Sequence, residues 1–400
     1  MKSAGFIFLI CLVLLSVNSA AQVNHKIDSL ETILNGATGT RKVDILNQLA
    51  GETLNISPEK ARQLAQQALV LSEPLIYDYG KAKAHQNLAV VFEMTGDYKD
   101  AFDEDSTALK IFRRIDDKAG TANIINHIGI LHDLQGDYTS ALNAYYESLE
   151  IKKKLDDQAG IAKSYNNIGI IYDELTNYVK ALDYYLKSLR IREKIGNKYE
   201  IGGSYNNIGI VHEEQGNYDK ALEYYFKALE LYRGAGSRVD IARAYDNIGE
   251  VYRQQKKYGK ALQMNLAGLA IYQDLKNTYG LAQVTEDISA VYKDQDEYEE
   301  ALKYARRSLD LYKSLGDKLG QAYLYNTIGQ ISLLQKKTKQ AISYLDKSLA
   351  FAEEVQAKDI IRDSYKGLSQ LFAQVDEFQK SLMYYQRYDS LKEILFNLIG

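Results

Sequence analysis

Apolar residues recur along most of the chain at helical rather than strand spacing. In residues 160–199, Ile161, Tyr165, Ile168 and Tyr172 fall three or four positions apart, and after a break Ala181, Leu182, Tyr185 and Leu189 do the same. Each run places one apolar stripe on a helix. At about 100° per residue the polar positions Lys163, Asn166, Asn167, Asp173 and Glu174 fall on the opposite side of the first helix, away from its packed stripe. Each stretch therefore predicts two helices. The break between them carries Gly136-Asp137-Tyr138 or Gly216-Asn217-Tyr218, in which Gly ends one helix in the left-handed region and Asp or Asn caps the next. Ser57-Pro58-Glu59 does the same near the N-terminus, with proline at the first helical position. A second capping column, Asp117, Asp157, Asn197, Ser237, Asn277 and Asp317, marks the other helix start.

These signals repeat every forty residues. Ala61, Ala101, Ala141, Ala181, Ala221, Ala261, Ala301 and Ala341 stand in one column, and Gly129, Gly169, Gly209, Gly249 and Gly329 stand in another. Small residues at fixed positions let neighbouring helices approach closely. The register fits nine units without a gap: 41–80, 81–120, 121–160, 161–200, 201–240, 241–280, 281–320, 321–360 and 361–400. A helix pair has too little core to stand alone, so stacking on its neighbours must supply the buried surface. The predicted fold is all-α: an α-solenoid of nine helix-turn-helix repeats, preceded by a leader or capping helix at 22–40. Only two prolines occur, where an average chain of 400 residues would hold about 20, as a chain built almost wholly of helix requires.

With 49 basic and 53 acidic residues the net charge is -4, so the surplus of cations that neutralises a phosphate backbone is missing and nucleic acid is not an expected partner. Residues 1–21 resemble a secretory signal peptide: Lys2, an apolar run from Phe6 to Leu15, then small residues at Ser19-Ala20-Ala21. Cleavage there would export the chain and remove Cys11, its one cysteine, leaving no thiol for disulfides. No later stretch is apolar enough to span a bilayer.

The segments Asn166–Leu189, NNIGIIYDELTNYVKALDYYLKSL, and Asn206–Leu229, NNIGIVHEEQGNYDKALEYYFKAL, resemble tetratricopeptide repeats over about nine tenths of the chain. They depart from the common form in being 40 rather than about 34 residues long and in lacking its terminal proline. The longer form resembles the repeats of kinesin light chains and of bacterial peptide-sensing regulators. The resemblance implies a right-handed superhelix whose first helices line a concave groove that holds a partner protein or extended peptide, without catalysis.

A candidate binding row lies on that face: Asn126, Asn166, Asn167, Asn206, Asn207, Asp246 and Asn247. Asparagine is a mediocre helix-interior residue, so its repetition asks for a reason. Two are open: amides that pair with a ligand's backbone, as the resemblance to repeats with this doubled Asn implies, or amides that cross-link neighbouring repeats. The same face carries Asp133, Asp173, Glu174, Glu213 and Glu214, then turns mixed at Arg243, Arg253 and Lys293, so a ligand with a cationic segment is expected toward the N-terminal repeats. The basic clamp by which chaperone-binding relatives hold a terminal carboxylate is not reproduced. Most of the 33 tyrosines are period-locked and read as core. The histidines lie in repeat columns, and His127 and His132 are five apart, not four, so no metal is expected. No nucleophile triad or phosphate loop stands out. The chain is read as a non-catalytic scaffold without cofactor.

A second resemblance concerns the C-terminus. An export signal, long-form repeats and a closing Tyr388-Asp389-Ser390-Leu391-Lys392 look like the sensor half of bacterial membrane histidine kinases. It implies a ligand-sensing ectodomain as the alternative to a free-standing scaffold. The apolar end, Leu391, Ile394, Leu395, Phe396, Leu398 and Ile399, is expected to be covered.

Overall fold

A computed structural model describes residues 20–54 and 56–397. The expected signal peptide at 1–21 lies almost wholly outside the described residues, as do Leu398 and Ile399 and the side chains of Ile394, Leu395 and Phe396. Every described element is a helix. The first is α1 (Ala20–Gly36), followed by α2 (Gly39–Thr53), α3 (Pro58–Ser72), α4 (Asp78–Thr95), α5 (Tyr98–Arg114), α6 (Lys118–Leu134), α7 (Tyr138–Lys154), α8 (Gln158–Glu174) and α9 (Tyr178–Ile195). Next come α10 (Lys198–Glu214), α11 (Tyr218–Ala235), α12 (Arg238–Gln254), α13 (Tyr258–Asp274), α14 (Thr278–Asp294) and α15 (Tyr298–Leu315). The last four are α16 (Lys318–Leu334), α17 (Thr338–Glu354), α18 (Lys358–Gln374) and α19 (Phe378–Asn397). None of them is long and apolar enough to cross a membrane.

The boundaries follow from local chemistry. Asp117, Asp157, Asn277 and Asp317 each accept a hydrogen bond from the glycine N–H three residues on, at 2.9 Å, which satisfies a donor the helix leaves open. Asp137 and Asn177 do the same for α7 and α9. Lys257, Glu297 and Lys337 occupy the equivalent position without a side-chain cap. Helix ends depend on one left-handed residue. Gly136 and Gly216 both take φ +73°, yet Thr176 at +54° and Lys256 at +59° adopt the same conformation without glycine's freedom.

The described residues divide into two compact units. One runs to Gly216 and adds Glu230–Ser237; the other takes Asn217–Leu229 and everything from Arg238 onward. Within each, consecutive helices pack as neighbours, and their two- to five-residue connections make them antiparallel hairpins. Both are α-solenoids, stacks of helix pairs with the core between layers. The alanine column is wholly buried. Gly129 and Gly169 lie under the rings of Tyr145 and Tyr185, where an added Cβ would meet ring carbons at 2.6 and 2.7 Å. A buried serine column is less obvious from sequence. Ser148, Ser188, Ser308 and Ser348 donate to Ala122, Ala162, Ala282 and Ala322 carbonyl oxygens at 2.7–2.8 Å, tying the second helix of a pair to the first.

Candidate functional site

In the first unit the polar faces of α6, α8 and α10 meet along seams. Asn167 Nδ2 donates to Asn126 Oδ1 at 3.3 Å, and Asn207 Nδ2 donates to Asn166 Oδ1 at 3.0 Å. The two members of each rung are 41 residues apart. Asn126 and Asn166 are buried rather than solvent-facing, because their carbonyl oxygens also receive a cation from the second helix of their own pair. Lys152 Nζ reaches Asn126 and Arg192 Nη1 reaches Asn166, each at 3.5 Å, and both cations bond onward to Ser164 and Ser204. Burial holds the Lys152 ammonium down to about 8. The first Asn of each doublet thus cross-links repeats. Asn167 and Asn207 are half-buried, each with one amide hydrogen committed to its rung.

Seven residues, two helical turns, beyond each amide rung lies a second one. Asp133 follows Asn126 and Glu174 follows Asn167; Asp173 follows Asn166 and Glu214 follows Asn207. The lower rungs are therefore Asp133 opposite Glu174 and Asp173 opposite Glu214, acid against acid. Asp133 is only 4% exposed, Asp173 and Glu174 are half-buried, and Glu214 is exposed. Asp133 Oδ1, Asp173 Oδ1 and Glu174 Oε1 are shut off from water without a hydrogen-bond partner. Among the described residues none of the four makes an ion pair. Burial, then the neighbouring Glu174, pushes the Asp133 carboxyl up to about 8. Burial, then Glu214 and Glu174, does the same for Asp173, while a hydrogen bond from Tyr185 pulls the other way. Glu174 rises to about 7, by burial and by Glu214. Tyr138 stands beside the first rung and Tyr178 hydrogen-bonds Glu214 beside the second. Uncompensated buried carboxylates are expensive, and groups perturbed in this way concentrate where a ligand is handled.

The second unit shows the same seam sealed. Arg253 takes the place that Asp133 and Asp173 hold in their repeats, and Asp294, 41 residues on, takes that of Glu174 and Glu214. The two form an ion pair, and Arg253 also bonds Glu250 at 2.7 and 2.8 Å. Arg243 pairs with Asp240. The basic residues expected to face a ligand are thus largely matched internally; Lys293 is half-buried, and burial lowers its ammonium. Asp246 accepts from the Tyr272 hydroxyl at 3.0 Å. Asn247, like Asn206 and Glu213 of the first unit, is half-buried and engaged.

One buried cluster escaped the sequence. His127 stands where Asn167 stands one repeat later, and its Nδ1 lies 2.6 Å from Asp105 Oδ2 and its Nε2 2.7 Å from Glu93 Oε2. Burial alone would lower its pKa, but Asp105 and then Glu93 override that and raise it to about 10, so an imidazolium fastens α6 to α4 and α5. Only the offset of 34 and 22 residues joins these groups, and no short motif reports it. Among the described residues no three His, Cys, Asp or Glu side chains converge on a metal position. A shallow groove lined by Lys42, Gln63, Gln67 and Val70 lies on α2 and α3, away from the seams.

A family model described as tetratricopeptide repeat matches residues 81–154, 200–274 and 280–354, and a second model of that description matches 161–195. No curated protein matches the chain. Several solved structures share the fold. The apo form of RapI is 18% identical, with 69% of this chain and 99% of that one covered (TM-score 0.57). The apo form of the quorum sensor NprR from B. thuringiensis is 16% identical over 93% and 99% (TM-score 0.62). The Rap conjugation gene regulator of the plasmid pLS20, in complex with the Phr* peptide, is 17% identical over 90% and 98% (TM-score 0.57).

Proposed function

We propose that this chain, which belongs to the tetratricopeptide repeat family, is a non-catalytic scaffold that holds a protein or extended peptide against the polar faces of its first helices. The observation that carries this reading is the pair of acid–acid rungs in the first unit: four acidic side chains brought together with no ion-pair partner among the described residues. A ligand presenting cationic groups would supply it, gaining charge-assisted hydrogen bonds in a poorly hydrated site. The half-buried Asn167 and Asn207, two turns away on the same seams, retain amide capacity for a peptide backbone. Support also comes from the relatives, one named a quorum sensor and another solved with a peptide.

The signal-like residues 1–21 support export, which would place capture outside the cytoplasm; a signalling role as a sensor's outer half is the second reading, favoured by the closing Tyr388-to-Lys392 segment. Fluorescence polarisation of labelled peptide pools against the full chain tests the capture step. Basic pools should bind and acidic pools should not; equal binding, or none, overturns it.

A further inference from the structure

The seams carry information about what the ligand looks like, an inference that rests on the peptide-capture reading above. Two independent observations bear on it. Asp133 is more than nine-tenths buried with an oxygen that no described residue bonds, so the rung is incomplete among the described residues. At the same seam position of the second unit, Arg253 and Asp294 show what completes it: a guanidinium set against the carboxylate 41 residues on. The fold thus accepts a cation there, and in the first unit no side chain among the described residues pairs with the rung.

The spacing follows from the packing. Asn167 touches Asn126 and Asn207 touches Asn166, so α6, α8 and α10 lie side by side within reach of their side chains, at the outer end of the helix–helix range, about 10 Å. The two acid rungs are one such step apart. A polyproline II segment advances about 3.1 Å per residue with three residues per turn, which brings every third side chain back to one side after about 9 Å. A flat β-strand would turn that third side chain to the opposite face. Tyr138 and Tyr178 give each rung an aromatic flank suited to a guanidinium or ammonium.

We infer that each acid–acid rung of the first unit receives one cationic side chain of a bound peptide, and that the ligand is an extended segment with Lys or Arg at positions i and i+3.

The test is fluorescence anisotropy on the full chain with labelled nonapeptides carrying two lysines at i,i+2, at i,i+3 or at i,i+4 in an Ala/Gln background. The i,i+3 peptide should bind about tenfold more tightly than the others, as expected when both charge-assisted contacts form together. Asp133→Arg rebuilds the Arg253–Asp294 pair inside the first rung; it should raise the melting temperature and lower i,i+3 affinity about tenfold. Should that variant fail to fold, Glu174→Gln reads the same rung without a change of size. Equal affinity for all three spacings would overturn the inference while leaving peptide capture intact. Unchanged i,i+3 affinity in both rung variants would overturn it as well, by placing the cations elsewhere. Binding by no peptide would bring down the inference and the capture reading together.

Discussion

Replacing Asp133 by asparagine removes an ionisation the fold resists and keeps the side chain's shape, so the change should stabilise the protein, increasingly so as pH rises toward 8. The carboxyl ordinarily titrates near 3.8 and does so at about 8 in the folded chain. Native protein therefore binds the proton that unfolded protein has already released, and stability must fall as pH rises through that window. Between 3.8 and pH 7, at about 1.4 kcal/mol per pH unit, the withheld ionisation costs up to about 4 kcal/mol. Glu174 across the rung is half-buried rather than sealed, and water reaching it screens the site, so a gain of about 2 kcal/mol is expected at pH 7. For a unit of some 200 residues this corresponds to a rise in melting temperature of about 5 °C. Of the groups facing Asp133, Glu174, at about 7, titrates in the same window and by repulsion broadens the profile, whereas Tyr138, at about 12, does not titrate there. Thermal melts of both proteins at pH 5, 6, 7 and 8 should show the gain growing toward pH 8. A gain that is flat with pH, or a variant less stable than the parent at pH 8, would falsify the account of the rung.

Replacing His127 by leucine leaves Glu93 and Asp105 buried without a cation and should cost about 3–5 kcal/mol in urea denaturation at pH 6. Because its folded pKa is raised to about 10, its contribution is complete below 6.5 and lost as pH rises through 10. The difference between parent and variant should therefore shrink from pH 6.5 upward and level off above about 10. Thr176→Gly removes a left-handed β-branched residue at a helix end and should raise stability by about 1 kcal/mol; a lower melting temperature would show that the threonine side chain serves some other purpose. Asn166→Ala and Asn207→Ala delete the same rung bond, about 1 kcal/mol each, and the double variant should cost clearly less than the sum. Full additivity in a double-mutant cycle would mean that the amides act independently.

Helices, caps and the repeat were legible because their causes are local. Asp117 caps its own helix three residues on, and the spacing from Ile161 to Tyr172 states which side is apolar. The column of Gly169 showed that something must approach closely, though not that it is the ring of Tyr185. The seams were harder. Asn166 and Asp173 were visible as a polar face, but a single helix cannot report that the face meets its counterpart 41 residues away. Nor can it report that burial follows, which turns an apparently solvated charge such as Asp133 into an unpaired one. Between the two roles open for the doubled asparagine, its first member is engaged in cross-linking, a fact that depends on Lys152 and Arg192 arriving from the second helix. His127 was hidden for the same reason, since its partners come from two other helices and neither neighbours it in sequence.

Each rung is shared by two consecutive repeats, half contributed by each, and this changes what counts as a module. Moving one forty-residue unit to another place in the array carries two unmatched half-rungs with it and breaks both seams at its borders. A shift from a self-sealed seam to an open one needs a single replacement, of the kind that separates Arg253 from Asp173 in equivalent positions. The heritable unit of pairing in this chain is therefore the boundary between repeats, and recombination that keeps both halves of a boundary together reorders open and sealed seams without redesigning a helix.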